Sequence, residues 1–174
     1  DYLKDLAQNE RKILRDLGVK FGRYHIFLYR LIKPEAVSLR TLLWKNYNQK
    51  YFNLTPPTFG LNFLDDKDSK NKNFMLLCGF EKFNTSFVRI DILERLFIQI
   101  IGSSSEEKKE IKMIPEMLNL LGCNKDNFKK LLKEMGYKIF EKENETYFRY
   151  NPVKRFKKTT NNKISNESPF KVLK

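Results

Sequence analysis

The sequence predicts a mostly helical α+β fold: an N-terminal helix-strand-helix segment, a second unit of helices closed by a hairpin, and a basic C-terminal tail. Three observations carry that expectation. Apolar residues recur every three or four positions in several separate stretches, the mark of helices with one buried face. Residues 137–140 and 146–150 alternate in strand fashion around the polar EKENE. The last stretch, 151–174, has few apolar residues, no period, and 7 basic residues against 1 acidic, a composition that favours a flexible tail.

The chain begins inside a helical pattern, with Leu3, Leu6, Ile13, Leu14 and Leu17 apolar and Gly18 placed as its stop. Its first residue is Asp1, so a fragment of a longer or processed protein is expected. Val19, Phe21 and the run Tyr24-His25-Ile26-Phe27-Leu28 predict a short extended segment, interrupted at Gly22 by a bulge or turn. Pro34 suits the first turn of a helix over roughly 34–50, where Ala36, Leu39, Leu43 and Tyr47 keep helical spacing. Pro56-Pro57, Gly60 and the run DDKDSKNKN mark 53–72 as a linker.

Residues 73–80 read as a short buried helix ending at Gly79, and 87–90 as a strand. Asp91 is expected to cap a helix whose apolar side carries Ile92, Leu93, Leu96, Phe97 and Ile100. Gly102 and SSSEEKKE end it. Residues 113–121 form a further short helix ending at Gly122, and Asn124 or Lys125 starts another with Phe128, Leu131, Leu132 and Met135 in one stripe. Gly136 stops that helix, and Asn144 suits the turn of the final hairpin. Helices followed by a hairpin over 73–150 is the order of a winged helix-turn-helix, an order that unrelated small α+β units share.

The formal charge is +13, with 34 basic and 21 acidic residues, which invites a nucleic-acid partner. Lysine supplies 25 of the 34, and Asn is abundant at 16, so AT-rich codon usage is a second source of the same excess. The distribution is informative. Residues 1–50 are net +6, residues 51–90 net +1, residues 91–150 net 0, and residues 151–174 net +6. Genome drift alone would spread the excess evenly; instead it sits at the two ends.

No GxxxxGK[ST], HExxH or GxSxG motif occurs, and there is one histidine, so no catalysis is expected within this chain. Cys78 and Cys123 make neither a disulfide framework nor a metal half-site and read as free thiols. No apolar run approaches the ~20 residues of a membrane span, and no signal peptide opens the chain. A soluble cytoplasmic module with no membrane partner is therefore expected.

Three groups of cations are candidate nucleic-acid contacts. Arg23, Arg30, Lys33 and Arg40 flank Tyr24, Phe27 and Tyr29, and basic residues between aromatics can hold phosphates while rings stack on bases. A core role for those rings is the competing reading, as it is for Trp44; His25 reads as a packing or hydrogen-bonding residue. Lys125, Lys129 and Lys133 form an i, i+4, i+8 ridge suited to backbone contact rather than base readout. Lys154, Arg155, Lys157 and Lys158 bracket Phe156 in the tail and suit non-specific polyanion binding, while Ser168-Pro169-Phe170 suits a docking peptide.

The run LGVKFGRYHIFLYRLIKPEAVSLRTLLW, Leu17 to Trp44, resembles the stretch LGVRxGRxxxFLPxLLKPxAxxLRxLLW of alphaproteobacterial superfamily 2 DExH-type helicases, akin to the mitochondrial degradosome RNA helicase. Gly18, Gly22, Arg23, Leu28, Leu31, Lys33, Pro34, Leu39 and Arg40 fit it, and Tyr29 stands where that family often has Pro. CGF at 78–80, VRIDILERL at 88–96, LLGC at 120–123 and SPF at 168–170 follow in the same order. The resemblance implies a C-terminal accessory module, with the motor domains, their ATP and their Mg upstream of Asp1. Residues 1–52 would pack on that motor, and single-stranded RNA or DNA would be guided by backbone contacts in a bacterial cytoplasm. Two other classes fit the composition: a stand-alone winged-helix DNA-binding regulator, and a basic scaffold that docks acidic proteins.

Overall fold

The computed structural model describes residues 5–66, 71–103 and 110–150. The tail cations and Ser168-Pro169-Phe170 lie outside them. The fold is α+β, and its order follows the sequence closely. Helix α1 (Gln8–Asp16) leads into a two-stranded hairpin, β1 (Val19–Phe21) and β2 (Ile26–Leu28), then through a 3-10 turn into α2 (Pro34–Tyr47). Pro34 occupies the first turn of α2, where a missing N–H costs nothing. Next come β3 (Phe63–Asp65), α3 (Lys72–Leu77), β4 (Phe80–Lys82) and β5 (Ser86–Arg89). The remainder is α4 (Ile90–Gly102), β6 (Ile111–Lys112), α5 (Pro115–Leu121), α6 (Lys125–Glu134), β7 (Tyr137–Lys142) and β8 (Glu145–Tyr150). No helix among the described residues is long and apolar enough to cross a membrane.

Two cores are built back to back. One gathers Val37, Phe74, Met75, Cys78, Phe80 and Phe87, with Trp44 stacked on Tyr51 at its margin. The other gathers Val88, four residues of α4 (Ile92, Leu93, Leu96 and Ile100), and Met117, Leu121, Phe128, Leu131, Leu132 and Phe148. Strand β5 is the wall between them. Successive strand residues point to opposite faces, so Phe87 enters the first core and Val88 the second, both fully buried. Burying each such side chain contributes roughly 1.5–3 kcal/mol, which makes β5 and α4 the centre of the molecule.

The two three-stranded sheets have the same order. β3-β5-β4 and β6-β8-β7 each place the last strand between the other two, with all pairs antiparallel. In each, a helix ends in a glycine with positive φ, Gly79 at 87° and Gly136 at 88°, that turns directly into the hairpin. The sequences echo one another, CGFEKFNTSFVRI at 78–90 and MGYKIFEKENETYFRY at 135–150. The chain therefore holds the same helix-glycine-hairpin unit twice.

The structure differs from expectation at three places. The stretch 53–72 is not wholly a linker: it supplies β3, paired with β5 from Phe63↔Val88 to Asp65↔Ser86. A unit boundary at 73 accordingly cuts the first sheet away from its own edge strand. Three residues beside a run of charges carry too little alternation to be read as a strand. Strand β6, two residues long, lies where the sequence pattern predicts none, for the same reason. Asp91 does not cap α4. Arg89 is the N-cap residue, and the buried Asp91 carboxylate accepts two hydrogen bonds from its guanidinium, at 2.6 and 2.9 Å.

A basic aromatic cleft between the first hairpin and helix α4

Helix α4 has two working faces. Ile92, Leu93, Leu96 and Ile100 enter the core, and Asp91, Glu94, Arg95, Ile98 and Ile101 line a cleft of about 740 Å³. The opposite wall is the β1–β2 hairpin, through Lys20, Phe21, Gly22, Arg23 and Phe27, followed by Tyr29.

One carboxylate fixes the hairpin to the helix. Glu94, buried, accepts hydrogen bonds from the backbone N–H groups of Arg23 and Tyr24 at 2.8 Å each and of His25 at 3.2 Å. A carboxylate with several N–H donors tolerates burial that an isolated one does not. The same closeness explains Gly22, where any Cβ would overlap the Glu94 carboxylate. Beyond the turn, His25 Nε2 meets Glu81 Oε2 at 2.5 Å, so the one histidine serves as a hydrogen-bonding residue between the hairpin and β4.

The charge of the cleft is set by what stays unneutralised. Arg89 neutralises Asp91, whereas Glu94 keeps its charge and is held by three backbone donors. Lys20, Arg23 and Arg95 are exposed on its walls. The Arg23 guanidinium lies over the Phe97 ring at 4.8 Å and faces Tyr150 of β8 at 5.9 Å. Burial raises the Tyr24 phenol above its usual range and pushes Tyr137 up to about 12, and the Arg23 side chain hydrogen-bonds the Tyr24 phenol. Cation and ring together are the elements of a single-strand platform.

The candidate cations do not form one patch. Arg23 lines the cleft. Arg40 lines a separate cavity of about 320 Å³ that shares only Phe27 with it, and its guanidinium donates to the Leu31 carbonyl at 3.2 Å. Arg30 lies in the 3-10 turn and Lys33 at the start of α2, both exposed. On α6, Lys129 is committed to Glu141 at 2.9 Å, holding that carboxyl below its usual range, and Lys125 adds to the same effect. Lys133 is exposed. Other side chains of α6 hold the first unit: Asn127 donates to Asp65 at 3.2 Å, and Glu134 accepts from the Asn84 N–H at 2.8 Å. The sequence pattern alone does not single out Lys20 and Arg95. Arg95 stands on the same helical face as Asp91, a signal visible in the spacing once the apolar stripe of α4 is assigned.

Both thiols are pushed up to about 11, chiefly by burial. The reactive thiolate is therefore nearly absent at neutral pH. Ellman's reagent at pH 8 is expected to react slowly with native protein and to titrate both thiols rapidly in denaturant. Fast reaction of Cys78 in the native state would show that the first core opens. The chain matches no known protein family, no curated protein and no solved structure.

Proposed function

We propose that this chain is a C-terminal accessory module of an ATP-dependent helicase, RNA-directed, which holds single-stranded nucleic acid by its backbone. The observation that carries the reading is the cleft, with three exposed cations and the rings of Phe27 and Tyr29 along it, while Phe21 and Phe97 lie under Arg15 and Arg23. The sequence resemblance from Leu17 to Trp44 supports it, because its Gly22 and Arg23 build that cleft. On this reading ATP and Mg belong to motor domains upstream, the chain itself is not an enzyme, and it works in a bacterial cytoplasm. The outer face of α2 supports the docking half of the proposal. Leu39, Leu42, Leu43 and Tyr47, at helical spacing, are each more than half exposed. An apolar stripe of that kind marks a protein-docking face, fitted to the motor.

Residues 90–150 are read as a winged helix, with α4, β6, α5, α6, β7 and β8 in the order that fold requires. The DNA-regulator reading needs α6 free to enter a groove. Three of its side chains, Lys129, Asn127 and Glu134, are instead engaged by Glu141, Asp65 and the β4–β5 turn. Binding to single-stranded RNA, single-stranded DNA and duplex DNA, titrated with salt, tests the proposal. Single strands should bind more tightly than duplex, with log affinity falling by about 0.7 per neutralised phosphate for each unit of log salt. Residues 151–174 carry 7 basic residues against 1 acidic, so their deletion is expected to flatten that slope. Tighter binding to duplex, or none to single strands at low salt, would remove the reading.

A further inference from the structure

Four half-buried cations of this chain have an evident partner. Lys82, Arg89 and Lys129 lie against the carboxylates of Asp66, Asp91 and Glu141, and Lys45 lies over the Phe74 ring. Arg40 is half-buried as well, yet among the described residues its guanidinium donates only to a neutral acceptor, the Leu31 carbonyl at 3.2 Å. A guanidinium carries several N–H donors and no acceptor, so most of its fork is left open. Withdrawing part of a charge from water with no acid beside it costs free energy, which a carboxylate would offset.

The cavity of about 320 Å³ that Arg40 lines is otherwise largely apolar, with Ile26 of β2, Leu31 of the 3-10 turn, Leu76 of α3 and Ile90 of α4 among its walls. Ile26, Leu31 and Leu76 stay exposed. The other polar side chain there, His25, is held by Glu81 at 2.5 Å, and no acid is among the described lining residues. One open cation thus faces an apolar recess of a size that small molecules occupy.

We propose that this cavity binds a small amphipathic carboxylate, with its acid head on Arg40 and its hydrocarbon body along Ile26, Leu31 and Leu76. A planar guanidinium and a carboxylate match bidentately. A single cation suits a single charge; a phosphate monoester, with about two, would leave one uncompensated in an apolar recess. The site does not depend on the single-strand reading, because the cavity shares only Phe27 with the cleft.

Binding of octanoate, octanol and octylamine to the full chain, followed by calorimetry, tests the proposal. The three share one apolar body and differ in the head. Octanoate should bind roughly ten- to a hundredfold more tightly than octanol, the range set by a hydrogen bond to a charged group. Octylamine, protonated at neutral pH, should bind most weakly, since Arg40 repels it. Arg40→Met keeps an unbranched stem on the wall and removes the charge. It should abolish the preference for octanoate and leave octanol binding unchanged. Ile26→Glu brings a carboxylate of the chain's own to the recess and should weaken octanoate more than octanol. Thermal melts establish that each variant is folded; should Arg40→Met not fold, undiminished octanoate binding by Ile26→Glu would overturn the site. No binding of octanoate by the wild type, or equal affinity for the three heads, would overturn it as well. So would a preference for octanoate that survives in Arg40→Met, which would place the acid head on the cations of the cleft instead.

Discussion

Gly22→Ala is expected to lower the melting temperature by about 10 °C. Its Cβ would overlap the Glu94 carboxylate, which lies buried under the turn. Either the turn lifts away from α4 or the carboxylate leaves its donors. Overpacking costs about 1–3 kcal/mol, and up to three backbone N–H groups lose their acceptor, at about 1 kcal/mol each. A total of about 3 kcal/mol corresponds to about 6–12 °C for a chain of this size. Glu94→Ala should cost a similar amount by orphaning the same donors. Glu94→Gln should cost less, because one oxygen survives while its NH₂ faces an N–H. The two sites are in contact, so their effects should not add: Gly22→Ala in the Glu94→Ala background should cost little more than Glu94→Ala alone. Full additivity in thermal melts would sink the steric explanation.

That pair shows where sequence stops being legible. Gly22 is readable as a turn or bulge, because only local backbone freedom is needed to infer it. Its partner is 72 positions away, and no local pattern links a glycine to a glutamate across that separation. The helices are legible because their apolar stripes repeat over several turns; the stripe Phe128, Leu131, Leu132 is buried as spaced. The hairpin β7–β8 is legible because six-residue strands alternate, and Glu143 and Asn144 take positive φ at its turn. Strands β3 and β6 are not, since three and two residues carry no period. Their edge positions are set by pairing with β5 and β8. The repeat of the helix-glycine-hairpin unit is present in CGF and MGY but hidden by unequal strand lengths, three residues in β4 against six in β7. As for the site, Arg23 is legible from its basic-aromatic setting. Arg95 is not, because it lies in a block whose 11 basic and 11 acidic residues sum to zero.

The same reasoning sets the second large effect. Arg23→Ala and Arg95→Ala, singly, are each expected to reduce the salt slope of single-strand binding by about 0.7, and together by about 1.4. The cleft would then retain Lys20 as its one exposed cation among the described lining residues. Stability should separate the two. Arg95 is exposed with no ring beneath it among the described residues, so its loss should leave the melting temperature unchanged. Arg23 covers Phe97 and faces Tyr150, an arrangement worth about 0.5–1 kcal/mol at an exposed position, so its loss should cost a few degrees. Arg40→Ala is the comparison that gives the result meaning. It removes the same charge, but from the wall of a different cavity. If net charge alone drew the strand, all three substitutions would weaken binding equally. If the cleft holds it, Arg40→Ala should leave the slope within error while the other two flatten it. The spatial arrangement of cations, rather than the +13 total, would then be what binds the strand.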